Sequence, residues 1–106
     1  MTSNKIKYVD NVEILNEKRK VNALAFIEDM DQDSIIQDLN DKNHYGVRSN
    51  KEGSYYEVMF LKTCSFCGCK DFLFNQEKEG FKCKHIIAIE LLRSQNKRFK
   101  KGVLNL

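Results

Sequence analysis

Apolar residues recur at helical spacing in the first third of the chain. No Gly or Pro occurs between Asp10 and Met30, and charged residues fill the positions between the apolar ones. The apolar positions are Ile14, Val21, Leu24, Ala25 and Ile27. A period close to 3.6 residues is typical of a helix with one buried face. The pattern therefore predicts one amphipathic helix over this stretch.

The next segment gives a pattern that fits two structures. Residues 31–34 are polar and break the helical period. Ser34 could cap a short second helix that ends at Leu39, because serine is a favoured N-cap residue. The β-branched pair Ile35-Ile36 would fit a strand equally well. Both interpretations stay open at the level of the sequence.

Alternating and β-branched residues in the middle of the chain predict a β-hairpin. Tyr45, Val47 and Ser49 repeat with a period of two, and residues 55–61 are rich in aromatic and β-branched types. The polar residues 50–53 lie between the two runs and end in Gly53, which we expect to adopt a positive φ. After this hairpin, residues 82–93 are apolar almost all round, as in a helix packed deeply among other elements.

Composition places the chain in one broad class. It has 106 residues, 42% hydrophobic and 31% charged, and a mean hydropathy of −0.55. These values indicate one small folded domain, and they exclude a large multi-domain enzyme, a disordered tail and a membrane protein. The first residues contain no apolar signal-peptide core. We therefore expect a cytoplasmic protein, or a nuclear one if the host is a eukaryote.

Charge is distributed unevenly along the chain. Residues 1–50 contain 7 Lys/Arg and 9 Asp/Glu, giving −2, whereas residues 51–106 contain 11 and 6, giving +5. No acidic residue follows Glu90, and the basic end has Phe99 within it. A basic end of this kind suits an anionic partner, although charge runs are as often simply solvated.

The four cysteines indicate a metal site. Cys64, Cys67, Cys69 and Cys83 fall within 20 residues, and His85 follows closely. Without an export signal the thiols would stay reduced, so disulfides are disfavoured. Two residues apart on an extended strand, Cys67 and Cys69 project to the same side. Because residues two apart on a helix diverge, we expect Cys83 in the turn before the last helix and His85 in its first turn. Three thiolates and one imidazole are typical of a single structural zinc ion.

These residues resemble the SWIM-type zinc finger, in which Cys-x-Cys is followed after a variable gap by Cys-x-His. The step Asp71-Phe72 after Cys69 and the aliphatic helix after His85 also fit, so the resemblance covers residues 45–92. It implies a ββα module that holds zinc through Cys67, Cys69, Cys83 and His85. Family members use this module to bind DNA or protein partners in transposases, chromatin remodellers, kinases and recombination accessory factors. Cys64 departs from the pattern, and a rival set of Cys64, Cys67, Cys83 and His85 would leave Cys69 free.

Several other residues have both a functional and a structural interpretation. His44 is either a turn residue or a ligand, and the structural role is the commoner one. Asp71 could orient His85 or cap a turn. Three phenylalanines, Phe72, Phe74 and Phe81, could stack on bases, but a small domain needs aromatic side chains for its core. Cys64 is either a partly buried small hydrophobe or an exposed thiol.

Together these patterns predict an α+β protein in three parts: an N-terminal helical segment (1–44), a SWIM-like zinc finger domain (45–93) and a basic C-terminal tail (94–106). The leading hypothesis is a zinc-binding, non-enzymatic adaptor that binds nucleic acid, with DNA as the first candidate. It would act in transcription, transposition or DNA repair. The expected contacts are Lys70, Lys84, Arg93, Lys97, Arg98, Lys100 and Lys101. The alternative is a protein-interaction module in which zinc is only a scaffold and the first helix docks the partner. We expect neither a membrane nor a small-molecule substrate as partner.

Overall fold

A long helix, α1 (Thr2–Asp29), begins the fold. The computed structural model describes residues 2–49 and 53–105, and within α1 it describes side chains from Val12 onward. The helix begins earlier than the sequence predicts, since residues 2–9 also lack Gly and Pro and can continue it. Its end at Asp29 agrees with the predicted break.

Five strands form one mixed sheet in the order β4-β3-β2-β1-β5. Their bounds are β1 (Ile35–Asp38), β2 (His44–Arg48), β3 (Tyr55–Phe60), β4 (Ser65–Cys67) and β5 (Lys100–Gly102). The first four strands pair antiparallel, whereas β5 pairs parallel with β1. The sheet therefore joins the middle of the chain to its C-terminal end.

The structure settles the open pattern after α1 and confirms the hairpin. Residues 35–38 form a strand, so the short helix is wrong, and the Ser34 hydroxyl accepts a hydrogen bond from the Asp31 N–H at 3.0 Å instead of capping a helix. β2 and β3 form the predicted hairpin as an antiparallel pair, with Val47 opposite Tyr56. Gly53 has the expected positive φ of 76°. Residues 50–52 of the predicted turn lie outside the described residues.

Two helices follow the sheet. The first is α2 (Lys70–Asn75), which no sequence pattern predicts, and the second is α3 (Lys84–Ser94), which matches the predicted apolar helix. Asn96 takes a positive φ of 56° just after α3, and the N–H groups of Asn96 and Lys97 donate to the carbonyls of Arg93 and Leu92. This is a Schellman-type end, which turns the chain back toward the sheet.

One hydrophobic core connects the sheet with the helices. α3 contributes Ile86 and Ile89, which pack with Tyr45, Val47 and Val58 of the sheet. α1 lies against α3 through a second cluster, formed by Ala23, Ile87 and Ala88. The buried face of α3 is broad because it contacts the sheet on one side and α1 on the other.

The C-terminal segment belongs to the same core. The Phe99 ring packs on the Tyr45 ring at 5.1 Å between centroids, and β5 follows directly. The three predicted parts of the chain thus share one sheet and one core, and the boundaries at residues 44 and 93 stay predictions. Within the described residues, none of the helices combines the length and apolar character that a membrane crossing requires.

Candidate metal centre

Helix starts and a strand end position the four predicted zinc ligands. Cys67 is the last residue of β4, and Cys69 is the extended N-cap residue of α2. Between them the Gly68 N–H donates to the Glu57 carbonyl at 2.8 Å, which keeps this segment beside β3. Cys83 is the N-cap residue of α3 and His85 lies in its first turn. The placement of Cys83 and His85 that their spacing predicts is confirmed.

The four ligand atoms form one compact, buried group. The sulfurs of Cys67, Cys69 and Cys83 and a ring nitrogen of His85 all lie within 4.8 Å of one another. His85 Nδ1 is 3.7 Å from the Cys67 sulfur and 3.9 Å from the Cys83 sulfur. Tetrahedral zinc with Zn–S bonds of ~2.3 Å and Zn–N bonds of ~2.0 Å requires ligand separations of roughly 3.5 to 3.8 Å. The cluster fits a single structural zinc ion.

Electrostatics of the three thiols favour a bound cation. Hydrogen bonds from Cys67, and then from Cys83, lower the pKa of the Cys69 thiol. The same contact with Cys69, followed by that with Cys83, raises the pKa of the Cys67 thiol. Close thiolates repel one another, so ionisation of all three without a cation is unfavourable. A divalent ion allows all three sulfurs to ionise and bind it.

Two aromatic rings hold the imidazole of His85. Phe26 of α1 meets it edge to face at 5.6 Å, and Tyr56 of β3 lies 5.3 Å away at 41°. Edge and stacked contacts of this kind restrict ring orientation. The ring is thus fixed with Nδ1 toward the sulfurs by residues from two elements.

An ion pair connects α1 with the start of α2. Arg19 donates to both carboxylate oxygens of Asp71, at 2.6 and 2.9 Å, and its guanidinium lies over the Phe81 ring. The bond to Asp71 raises the pKa of Arg19, and the nearby sulfurs of Cys83 and Cys69 add to this. The hypothesis that Asp71 orients His85 is therefore wrong, since its carboxylate faces Arg19. Arg19 also brings positive charge close to the zinc ligands.

A second contact from α1 fixes the loop before Cys83. The Asn16 side-chain amide donates to the Gly80 carbonyl, and its oxygen accepts from the Lys82 N–H, both at 2.9 Å. Neither Asn16 nor Arg19 is singled out by the sequence, because each lies over 50 residues from its partner and has no local pattern. α1 thus contributes directly to the surroundings of the metal centre.

We expect Arg19→Met to lower the free energy of unfolding by about 1.5 to 3 kcal/mol, the usual range for hydrogen bonds to charged groups. It should also speed the release of zinc to a chelator, because Asp71 would lose its partner beside the thiolates. Lys20→Met is the matched control, since Lys20 is exposed on the same helix. Denaturant unfolding and a colorimetric zinc-release assay measure the two effects. Identical release rates for both variants would contradict this role of Arg19.

The remaining candidates separate into structural and exposed residues. Cys64 is exposed and outside the cluster, so the rival ligand set is wrong. His44 pairs with Glu57 at 2.8 Å, in agreement with a structural role. Phe72 and Phe81 are core residues, whereas Phe74 is exposed.

The predicted nucleic-acid contacts do not form one group. Lys70 and Lys84 are exposed at the starts of α2 and α3, near the zinc ligands. Arg93 is nine residues further along α3, which is about 14 Å at 1.5 Å per residue. It stands over the Phe60 ring at 4.8 Å. Four more follow it along the chain: Lys97, Arg98, Lys100 and Lys101, all exposed. Their role stays a prediction.

Comparison with known families adds one finding. Residues 56–93 match the SWIM zinc finger, and this range contains Tyr56 and all four ligands. No curated protein and no solved structure matches the chain. Arg19, Asn16 and Phe26 of α1 lie outside the matched range, as do β1, β2 and β5.

Proposed function

We propose that this protein, whose residues 56–93 match the SWIM zinc finger, is a zinc-stabilised, non-enzymatic adaptor that binds nucleic acid, with DNA as the first candidate. Zinc would stabilise the fold, and a basic surface would contact phosphate groups. The partner that the protein binds would determine its compartment. It would also determine the process in which the protein acts, whether transcription, transposition or DNA repair.

The observation that carries this proposal is the fixed position of the basic C-terminal segment. Phe99 packs in the core and β5 pairs with β1, so Lys97, Arg98 and Lys101 are held on a folded surface. Cations held in place lose less conformational entropy on binding than cations on a free tail. Contacts to phosphate groups fix the position of a protein on nucleic acid, and cations in fixed positions suit this role.

A binding role suits the chemistry of the metal centre better than catalysis. Catalytic zinc has three protein ligands and an open position for water, whereas four protein ligands close the tetrahedron. The cluster supplies Cys67, Cys69, Cys83 and His85, which is a closed set. We therefore assign zinc a structural role.

Salt dependence of binding to a labelled 20-base-pair duplex tests the proposal. If Arg93, Lys97, Arg98 and Lys101 each neutralise one phosphate, the logarithm of the association constant should fall against that of salt with a slope of about −3.6. Fluorescence anisotropy of the zinc-loaded protein measures this slope, with unlabelled duplex as competitor. A flat response, or no binding at low salt, would refute the proposal.

The protein-interaction alternative has one observation in its favour. Val21 is 66% exposed on α1, and Ile14 and Leu24 are also largely exposed. Of the acidic residues between positions 28 and 41 that would repel phosphate, Asp31 pairs with Arg48 and Asp33 with Lys100.

Deletion of residues 94–106 would also remove β5, so point substitutions separate the two functions better. Partner capture that Val21→Glu abolishes, in a protein that does not bind the duplex at low salt, would favour the alternative.

A further inference from the structure

A concave groove of about 580 Å³ lies where the end of α3, the β1–β2 turn and β5 meet. Nine residues line it, of which five are cationic and none is acidic. The cations are Lys42, Arg93, Lys97, Arg98 and Lys101. A concave surface with charge of one sign concentrates the electrostatic potential inside it. The fold therefore gathers side chains from distant parts of the sequence into one positive site.

The charge of these five cations is not balanced by an acidic side chain of the described residues. Within residues 12–49 and 53–105, none of them takes part in an ion pair, whereas Lys100, Arg19, Arg48 and Lys82 each do. Arg93 contacts aromatic rings and the Asn43 side-chain oxygen, which leaves its charge uncompensated. Asp41 acts electrostatically on Tyr45, but its carboxylate accepts from the Asn43 N–H and it does not line the groove. An external anion would supply the missing negative charge.

The two lysines of β5, Lys100 and Lys101, lie on opposite faces of the strand. Successive side chains on a strand point to opposite faces. Lys100 pairs with Asp33 at 2.6 Å on one face, whereas Lys101 lines the groove on the other. Neighbouring lysines of the same strand thus have different roles.

The backbone carbonyl groups at the C-terminal end of α3 accept hydrogen bonds from the turn that follows. Helix carbonyls at a C-terminus would repel an anion. Here the N–H groups of Gln95, Asn96 and Lys97 donate to the carbonyls of Leu91, Leu92 and Arg93. The Schellman-type end thus covers these oxygens and directs Lys97 and Arg98 into the groove.

The Tyr45 ring in the groove offers no free face. Tyr45 is only 1% exposed, its hydroxyl accepts from the Gln37 amide, and Phe99 covers part of its ring. Stacking of a base would require an accessible ring. The groove therefore offers cations to phosphate groups and no free Tyr45 face to a base.

We propose that this groove is a phosphate-binding site which holds the backbone of nucleic acid without regard to base sequence. The inference rests on the proposed function and specifies which part of the molecule performs it. Lys42 becomes a fifth contact, which the sequence gives no reason to choose and which would steepen the expected salt slope to about −4.5, and Lys100 is excluded. Four of the five cations, and all of the groove except Arg93, lie outside the residues that match the zinc finger.

The test uses two probes and three variants of the zinc-loaded full chain. The probes are a labelled 20-base-pair duplex and inorganic tripolyphosphate. Arg98→Gln and Lys101→Gln should each weaken duplex binding about tenfold at 0.1 M salt and make the salt slope shallower by ~0.9, because one released counterion is lost. Lys100→Gln is the matched control and should leave affinity and slope nearly unchanged. Duplexes of different sequence should bind equally well.

The outcomes separate this inference from the proposed function. Duplex binding that Arg98→Gln and Lys101→Gln leave unchanged, or equal losses in Lys100→Gln and Lys101→Gln, would overturn the groove while nucleic-acid binding stands. Wild-type protein that does not bind the duplex but binds tripolyphosphate, with loss in Arg98→Gln and Lys101→Gln and not in Lys100→Gln, would refute the proposed function and assign the groove to free polyphosphates. Failure to bind either probe would overturn both.

Discussion

Cys83→Ser is expected to abolish zinc binding and most of the folded structure around it. Cys83 is fully buried, supplies one of four zinc ligands and occupies the N-cap position of α3. Structural zinc sites contribute about 10 to 16 kcal/mol of apparent binding free energy in finger peptides. Typical domains are stable by only about 5 to 15 kcal/mol. Loss of one thiolate therefore removes an amount of free energy comparable to the whole stability.

Cys64→Ser provides the matched control for this substitution. Cys64 is exposed and outside the ligand cluster, so its loss should leave one zinc ion per chain and an unchanged unfolding curve. Elemental analysis gives the zinc content, and the dispersion of the amide NMR spectrum reports the folded core. One zinc ion per chain in Cys83→Ser with a dispersed spectrum would show that the four-ligand site is wrong.

The zinc ligands could be predicted from the sequence because their constraints are local. Two residues apart, Cys67 and Cys69 share one side of an extended segment, and the spacing of Cys83 and His85 fixes both at a helix start. The preference for Cys69 over Cys64 came from the resemblance to a family. The structure agrees with it, since Cys69 lies in the cluster and Cys64 is exposed.

Contacts between distant segments could not be predicted in the same way. Arg19 and Asp71 are 52 residues apart, and nothing in either neighbourhood indicates the other. Parallel pairing of β5 with β1 likewise joins residues over 60 positions apart. Three-residue β5 has no strand pattern of its own, so its basic sequence suggested a tail.

Strand β1 shows how tertiary contacts decide a locally ambiguous segment. Residues 35–38 have weak preferences for either helix or strand, and β2 on one side and β5 on the other satisfy their backbone groups. Propensity is a weak guide for such short runs, and pairing partners override it. The same argument applies to α2, whose six residues depend on Cys69 at its N-cap and on burial of Phe72.

Phe72→Ala is expected to lower the free energy of unfolding by about 3 to 5 kcal/mol, the usual cost of removing a buried phenyl ring. Phe72 is 7% exposed and packs between Phe66 and Phe81, with ring centroids 5.7 and 6.1 Å away. Its N–H also donates to the Cys69 sulfur, so a shift of α2 would disturb a zinc ligand. Unfolding in urea should be measured at a buffered free zinc concentration, because metal bound to the native state adds to its stability.

Phe74→Ala, two residues along the same helix, is the matched control for this prediction. The Phe74 side chain is 86% exposed, so its removal should change stability by no more than about 0.5 kcal/mol.

The pair also tests the base-stacking hypothesis, since stacking on an aromatic ring contributes about 1 to 3 kcal/mol per base. Weaker binding of single-stranded DNA by Phe74→Ala would place a base on this ring. Equal stability of the two variants would show that Phe72 is not a core residue.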